Sequence, residues 1–204
     1  MKKMILLSVF ALGALTINAQ TAVIESGGFW DNWSMGIQGG ATMKTSGAAF
    51  FKSARPAFGL TIGKQWTPIL GTDIQGMGYV NTTNSSTIID ATDVSLIGRM
   101  NLMNLFGAYD GMPNAFEIET VTGLGWLHHY STGDGDTNDL SARVGLNFNF
   151  NFGNDAAWTF GIKPAMVFNL TGDFPTRKLG FNKKHSNVEI LLGLTYHFAD
   201  AEGN

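Results

Sequence analysis

Two short stretches of the sequence hold the residue types that serine hydrolases use. Histidine, serine and carboxylate side chains occur close together in "LHHYS" and "KKHSNVE", namely at His128, His129, Ser131, His185, Ser186 and Glu189. A serine nucleophile needs a base within hydrogen-bond reach and a third group that orients the base. Neighbouring residues of a strand point to opposite faces, so His185 and Ser186 cannot easily pair if a strand already begins there. We therefore predict no catalytic residues.

Metal and phosphate sites are not predicted either. The loop "DGDTND" spaces Asp134, Asp136 and Asn138 like the start of a calcium loop. It lacks the glycine at the sixth position, and Gly145 stands where the bidentate glutamate belongs. The stretch "GLG" at 123–125 lies inside a predicted strand, whereas a phosphate-binding loop requires a strand-to-helix turn. The sequence therefore predicts no metal and no cofactor.

The most regular pattern of the chain is the alternation in "SARVGLNFNFNFG", residues 141–153. In an extended chain its phenylalanines and asparagines occupy opposite faces: Phe148, Phe150 and Phe152 against Asn147, Asn149 and Asn151. A soluble sandwich would bury the phenylalanines, whereas a membrane barrel turns them towards lipid and its polar residues inward. The rest of the sequence has to distinguish these two arrangements.

The stretch "MKKMILLSVFALGALTINAQ" has the layout of a secretory signal peptide. Two lysines precede an uncharged apolar run, and Ala19 is a small residue at the expected cleavage site. The run is short for a membrane span of roughly 20 residues, which makes a retained anchor the less favoured alternative. We expect a signal peptide (1–19), a periplasmic segment (20–32), a barrel (33–198) and a periplasmic tail (199–204).

Composition excludes several classes of protein. The chain contains no cysteine, so it has neither a disulfide nor a lipoprotein signal. Loss of Lys2 and Lys3 with the signal peptide leaves 11 basic against 16 acidic residues, a net charge of −5. Nucleic acid is not an expected partner, because its binding calls for a basic patch. Beyond the signal peptide, no apolar segment is long enough for a transmembrane helix.

Eight alternating segments follow one another and predict strands. They lie at 33–43, 56–66, 71–80, 92–103, 115–130, 139–152, 157–169 and 187–198, the third of which alternates poorly. Their connections are short or moderate at 67–71, 105–114 and 153–156, and longer at 44–55, 81–91, 131–138 and 170–186. In outer-membrane barrels, short periplasmic turns alternate with long outer loops in this way. The predicted fold is all-β, an eight-stranded antiparallel transmembrane up-and-down β-barrel.

Aromatic residues fall near the ends of these segments, as in the two belts of a membrane barrel. The belt beside the short turns would contain Trp33, Trp66, Phe116, Phe152, Trp158, Tyr196 and Phe198. The other belt would contain Phe58, Trp126, Tyr130 and Phe168. A soluble sandwich has no reason to sort its rings by strand end, so we expect the apolar face to contact lipid.

The polar face would then line the lumen. By strand parity it carries three basic and three acidic side chains: Arg99, Glu117, Glu119, Arg143, Lys163 and Glu189. An eight-stranded barrel is just wide enough to be filled by side chains, and isolated charges in so narrow a space are costly. We therefore predict a lumen plugged by ion pairs. The alternative is a wet cavity near one rim in which some of the six pair with nothing.

Several stretches resemble a known family, the N-terminal barrel domain of Bacteroidetes proteins of the outer membrane protein A type. They are "NWSMGIQGG", "IGKQWTPILG", "NAFEIETVTGLGWLHHYS", "LSARVGLNFNFNFG", "AWTFGIKPAMVFNLTGDF" and "LGFNKKHSNVEILLGLTYHF". The resemblance implies an outer-membrane barrel with envelope-structural and surface-contact roles. It also implies that Gly193, Tyr196 and Phe198 form the C-terminal signal that the barrel assembly machinery reads.

Longer members of that family carry a peptidoglycan-binding domain after the barrel, whereas this sequence stops at "ADAEGN". We therefore do not expect direct anchoring to the cell wall, unless the sequence is part of a longer chain. The expected protein is a non-enzymatic resident of the cell outer membrane, in contact with lipid and lipopolysaccharide, with an unknown ligand for its surface loops. The alternatives are a narrow diffusion channel and, less favoured, a lipid-modifying enzyme built on Ser131 and His129.

Overall fold

A computed structural model describes residues 29, 31–45, 50–82, 88–107, 109, 112–130, 135–153, 156–171 and 179–198. The predicted signal peptide and periplasmic tail lie outside these residues, as does most of the predicted periplasmic segment. The described residues form eight strands: β1 (Trp33–Lys44), β2 (Arg55–Gln65), β3 (Leu70–Val80), β4 (Ile89–Asn101), β5 (Phe116–His129), β6 (Thr137–Phe152), β7 (Trp158–Thr171) and β8 (Leu179–His197).

The strands form one closed barrel in sequence order. Each strand pairs antiparallel with the next, and β1 closes the barrel against β8, with Ser34 opposite His197 and Lys44 opposite Asn187. The predicted strands at 92–103 and 187–198 need correction, because β4 stops at Asn101 and β8 already begins at Leu179. The weakly patterned third segment is a full strand, β3, paired along its length with β2 and β4.

The two ends of the barrel differ. At what we call the turn end, β1 begins, β8 ends, and β2, β4 and β6 run into the next strand. At the opposite end, the loop end, β1, β3, β5 and β7 finish and β2, β4, β6 and β8 begin. A short 3₁₀ helix, Phe50–Ser53, lies at the loop end, and helix α1 (Leu102–Phe106) lies at the turn end; neither was predicted. None of the helices in the described part of the chain is long and apolar enough to cross a membrane.

Burial along the strands is inverted relative to a soluble protein. Leu60 and Leu96, in the middle of their strands, are each 63% exposed on the outer face. Asp93 and Glu189 are 0% exposed because they point into the barrel. A continuous apolar outer surface around a polar interior is the arrangement of a transmembrane barrel. The phenylalanine–asparagine alternation follows the same rule, since Phe150 is exposed and Asn149 is buried.

Aromatic rings contact one another in small groups at the turn end. Trp158 contacts Tyr196 with ring centroids 4.9 Å apart, and Tyr196 contacts Phe198 at 5.3 Å. Phe116 contacts Phe150 at 5.1 Å. The same rim carries Trp33, Trp66 and Phe152, while Trp126, Tyr130 and Phe168 lie towards the loop end. Rings thus occupy both ends of the barrel wall where the sequence predicts belts.

One charged residue interrupts the apolar face at the turn end. Lys64 donates hydrogen bonds from Nζ to the carbonyl oxygens of Phe29 (2.8 Å) and Asp31 (2.7 Å). The same ammonium lies 5.3–5.6 Å from the ring centroids of Phe29, Trp33 and Trp66. Cation–π attraction and two carbonyl acceptors together compensate for burying the charge. Lys64 thereby fastens the chain that precedes β1 to the barrel wall.

Candidate functional site

The half of the lumen nearer the loop end is filled by side chains. An apolar cluster of Ala57, Met77, Tyr79, Ala91, Leu127 and Leu191 packs across it. Beside this cluster, Arg143 Nη1 donates to Glu189 Oε2, and the Tyr79 hydroxyl donates to Glu189 Oε1 at 2.7 Å. Both carboxylate oxygens of Glu189 are therefore occupied. A cavity beside Gln75, Arg143 and Leu191 measures only about 20 Å³.

Asp93 extends the same network to β4 and β6. Its carboxylate accepts hydrogen bonds from Ser95 and, at 2.6 Å, from Ser141. Arg143 Nη2 lies 3.9 Å from Asp93 Oδ1, which is an electrostatic contact rather than a hydrogen bond. One guanidinium thus faces two carboxylates in a space that excludes solvent. We call Tyr79, Asp93, Ser95, Ser141, Arg143 and Glu189 the loop-half network.

A second network lies nearer the turn end. Arg99 bridges two carboxylates, since Nε donates to Asp73 and Nη1 donates to Glu119, each at 2.9 Å. The asparagines of the alternating stretch complete it, because Asn147 (3.2 Å) and Asn149 (2.9 Å) both donate to Glu119 Oε2. The inward asparagines of β6 therefore solvate a buried carboxylate. We call these five residues the turn-half network.

Beyond the turn-half network the lumen opens into a cavity of about 590 Å³ that reaches the turn end. Polar and apolar side chains both line it, and the polar ones include Asn101, Glu117, Asn151, Thr159 and Lys163. Asn151 donates to Glu117 at 3.0 Å and accepts from Thr159 at 2.6 Å. Helix α1 borders the cavity, where Asn104 donates to the carbonyl of Pro68 at 2.8 Å. The lumen is therefore packed in one half and hollow in the other.

The six predicted luminal charges all lie on the inner side of the barrel, but they do not form one network. Arg143 and Glu189 belong to the loop-half network, and Arg99 and Glu119 belong to the turn-half network. Glu117 is held by an amide rather than a cation. Lys163 forms no ion pair or hydrogen bond with any residue in the part of the chain that the structure describes.

Two carboxylates that complete these networks, Asp73 and Asp93, are not among the six predicted luminal charges. Asp93 lies on the predicted polar face of its segment, so parity alone could have included it. Asp73 lies in the poorly alternating third segment, where parity was ambiguous. With them, each arginine has two carboxylate neighbours instead of one.

His128 and His129, two of the histidines considered for catalysis, lie on opposite faces of the barrel wall. His128 points outward, with ring centroids 5.6 Å from Trp126 and 4.6 Å from Tyr130, as expected for a member of the aromatic belt. His129 Nε2 lies 3.6 Å from Asp139. Ser131 and the side chain of His185 lie outside the described residues. Asp134 lies outside them too, and the described residues contain no cluster of metal-ligating side chains.

The three residues of the implied assembly signal have different surroundings. Gly193 faces the lumen beside Lys163, whereas Tyr196 and Phe198 contact each other in the turn-end belt. The Phe198 amide donates to the carbonyl of Trp33 at 2.9 Å, which closes the barrel at the β1–β8 seam. Recognition by an assembly machinery stays a prediction.

Two solved structures share this architecture. One is the N-terminal β-barrel domain of OprF from Pseudomonas aeruginosa, with 12% identity, a TM-score of 0.54, and coverage of 82% of this chain and 98% of that one. The other is neisserial surface protein A (NspA), with 11% identity, a TM-score of 0.56 and the same coverages. No protein-family model matches the sequence, and no curated protein matches it either.

The chain has the fold of the eight-stranded outer-membrane β-barrels, and the predicted fold class is confirmed. The resemblance to barrel domains of the outer membrane protein A type is confirmed at the level of the fold. At 11–12% identity these likenesses define the fold and leave the role of the lumen and loops to be argued from this chain's own residues.

Proposed function

We propose that this chain is an integral protein of the outer membrane that supports the envelope structurally and makes contacts through its surface loops. The inverted burial carries the proposal: mid-strand leucines lie on the outside of the barrel and charges on the inside. Such a surface is stable only in lipid, because its exposed apolar area far exceeds what soluble monomers tolerate. The loops 45–54, 81–88, 130–136 and 172–178 would face outward, and the turn end would face the periplasm.

The absence of native cysteine allows this orientation to be tested by labelling. A cysteine introduced as Phe51→Cys, 82% exposed at the loop end, should react with a membrane-impermeant maleimide on intact cells. The matched variant Met103→Cys, 42% exposed in α1 at the turn end, should react only after the outer membrane is broken. Labelling of both sites on intact cells, or of Met103→Cys alone, would contradict the proposed topology.

The packed half of the lumen supports a closed barrel rather than a pore. A narrow diffusion channel is the second candidate. The cavity at the turn end favours a channel, because half of the lumen is already open. A channel would require the loop-half network to move aside. The two candidates therefore differ in whether the intact barrel conducts ions across a bilayer.

We expect the refolded wild-type barrel to show no discrete conductance steps in a planar bilayer, because Arg143 and Glu189 close its loop-half. Arg143→Ala should conduct, since it removes the side chain that spans this half. If Arg143→Ala does not refold, Leu191→Ala is the second variant to test. It shortens a side chain of the apolar cluster without removing a charge, and it should also conduct. Steps from the wild-type barrel would favour the channel.

A further inference from the structure

The hollow half of the lumen contains a lysine, Lys163, that forms no direct ion pair within the described chain. Lys163 lines the cavity, and within the described chain its Nζ reaches no carboxylate or carbonyl. Three carboxylates share the cavity wall with it: Arg99 pairs with Asp73 and Glu119, and Glu117 accepts a hydrogen bond from Asn151. A charge in a narrow protein interior is costly unless water or an anion compensates it. Lys163 is therefore a cation available to a ligand.

Two glycines determine where this lysine lies. Gly161 of β7 and Gly193 of β8 are register partners. A Cβ atom on either would come within 3.0 Å of Lys163 Cε, and one on Gly193 would come within 3.1 Å of Nζ. Both glycines lie nearer the turn end than Lys163 does, so the side chain runs along the wall towards the cavity. The bare backbone of these glycines makes room for that course.

Hydrogen-bond acceptors surround the same space. Asn147 and Asn149 each use their Nδ2 on Glu119, and their Oδ1 atoms accept no hydrogen bond within the described chain. Glu117 Oε2 accepts from Asn151. The wall thus offers one cation that forms no direct ion pair, together with amide and carboxylate oxygens, which suit N–H and O–H donors. This combination matches a ligand that has one carboxylate and several amide or hydroxyl groups.

We propose that the turn-end cavity binds a small carboxylate-bearing polar ligand whose carboxylate pairs with Lys163. A volume of about 590 Å³ lies within the range of small-molecule sites. Peptide acids and sugar acids share the required chemistry. The ligand would arrive from the periplasm, which rests on the proposed function. The binding itself depends only on the cavity.

Calorimetric titration of the refolded barrel in detergent micelles tests the site without reference to membrane orientation. The peptide probe is N-acetylglycylglycine, compared with its C-terminal amide; the sugar probe is glucuronate, compared with glucose. We expect at least one acid to bind no less than tenfold more tightly than its neutral analogue, a difference of about 1.4 kcal/mol. Which acid binds identifies the ligand's source.

Variants link that preference to the lysine. Lys163→Met should abolish the difference between acid and neutral probe. Gly193→Ala should reduce it, because the ammonium is retained but displaced. Lys44→Met, at the exposed loop-end terminus of β1, is the matched control and should bind like the wild type. The proposal is overturned if neither acid binds, or if folded Lys163→Met and Gly193→Ala both keep the full preference.

Discussion

Arg143→Met should destabilise the barrel by about 3–5 kcal/mol, the largest effect we expect from any single luminal change. Methionine retains the apolar stem of arginine but leaves Glu189 and Asp93, both 0% exposed, without their cation. Two carboxylates would then lie in a solvent-free space with only hydroxyl donors. The measurement is equilibrium unfolding by urea in lipid vesicles, followed by tryptophan fluorescence.

The matched control is the ion pair between Arg55 and Asp90 at the loop end, whose side chains are 22% and 23% exposed. Arg55→Met should cost about 1 kcal/mol or less, because water can solvate the remaining carboxylate. The double change Arg143→Met and Glu189→Gln should recover part of the loss by removing the orphaned charge. Equal costs at Arg143 and Arg55 would show that the loop-half network does not stabilise the barrel.

Leu96→Arg should cost about 2–4 kcal/mol when the barrel is folded in a bilayer, as expected for a charge near the membrane midplane. Leu96 lies in the middle of β4 and is 63% exposed, between Ile74 of β3 and Leu124 of β5. In a water-soluble barrel the same change would be almost neutral, because an exposed leucine loses little on becoming arginine. The size of the effect therefore reports which solvent surrounds β4.

Phe51→Arg provides the comparison. Phe51 is more exposed, at 82%, but it lies in the 3₁₀ helix at the loop end rather than in the barrel wall. We expect less than about 1 kcal/mol there, since charges near the interface are tolerated. Unfolding of both variants should be measured in vesicles of the same lipid. A neutral Leu96→Arg would contradict a lipid-facing outer surface.

Most of the barrel could be predicted because its pattern is local. Alternation of period two assigns each side chain of a strand to one of two faces, and Asn147 and Asn149 follow from that rule. The third strand does not show this alternation in its sequence, because glycines occupy its outer face. Gly78 lies under the ring of Phe58, where a Cβ would come within 2.9 Å of the ring. Its inner face carries Met77 and Tyr79, which fill the lumen.

The site could be predicted only in part because pairing across a lumen is not local. Parity places Arg99 and Lys163 on the inner side but does not say which carboxylate each can reach. The register decides this: Arg99 pairs with Glu119 of the neighbouring strand, while Lys163 lies over glycines and forms no direct ion pair in the described chain. The contacts of Lys64 could not be predicted for a similar reason. Its hydrogen-bond acceptors are backbone carbonyls, which no sequence motif marks.

The division of the lumen into a packed half and a hollow half also divides any voltage across the barrel. Water in the cavity stays close to the potential of the side to which it opens, so nearly the whole drop falls across the side chains around Arg143 and Glu189. Moving one elementary charge through 100 mV is worth about 2.3 kcal/mol. An electric field would therefore act on the Arg143–Glu189 pair, and occupancy at Lys163 would be almost independent of it.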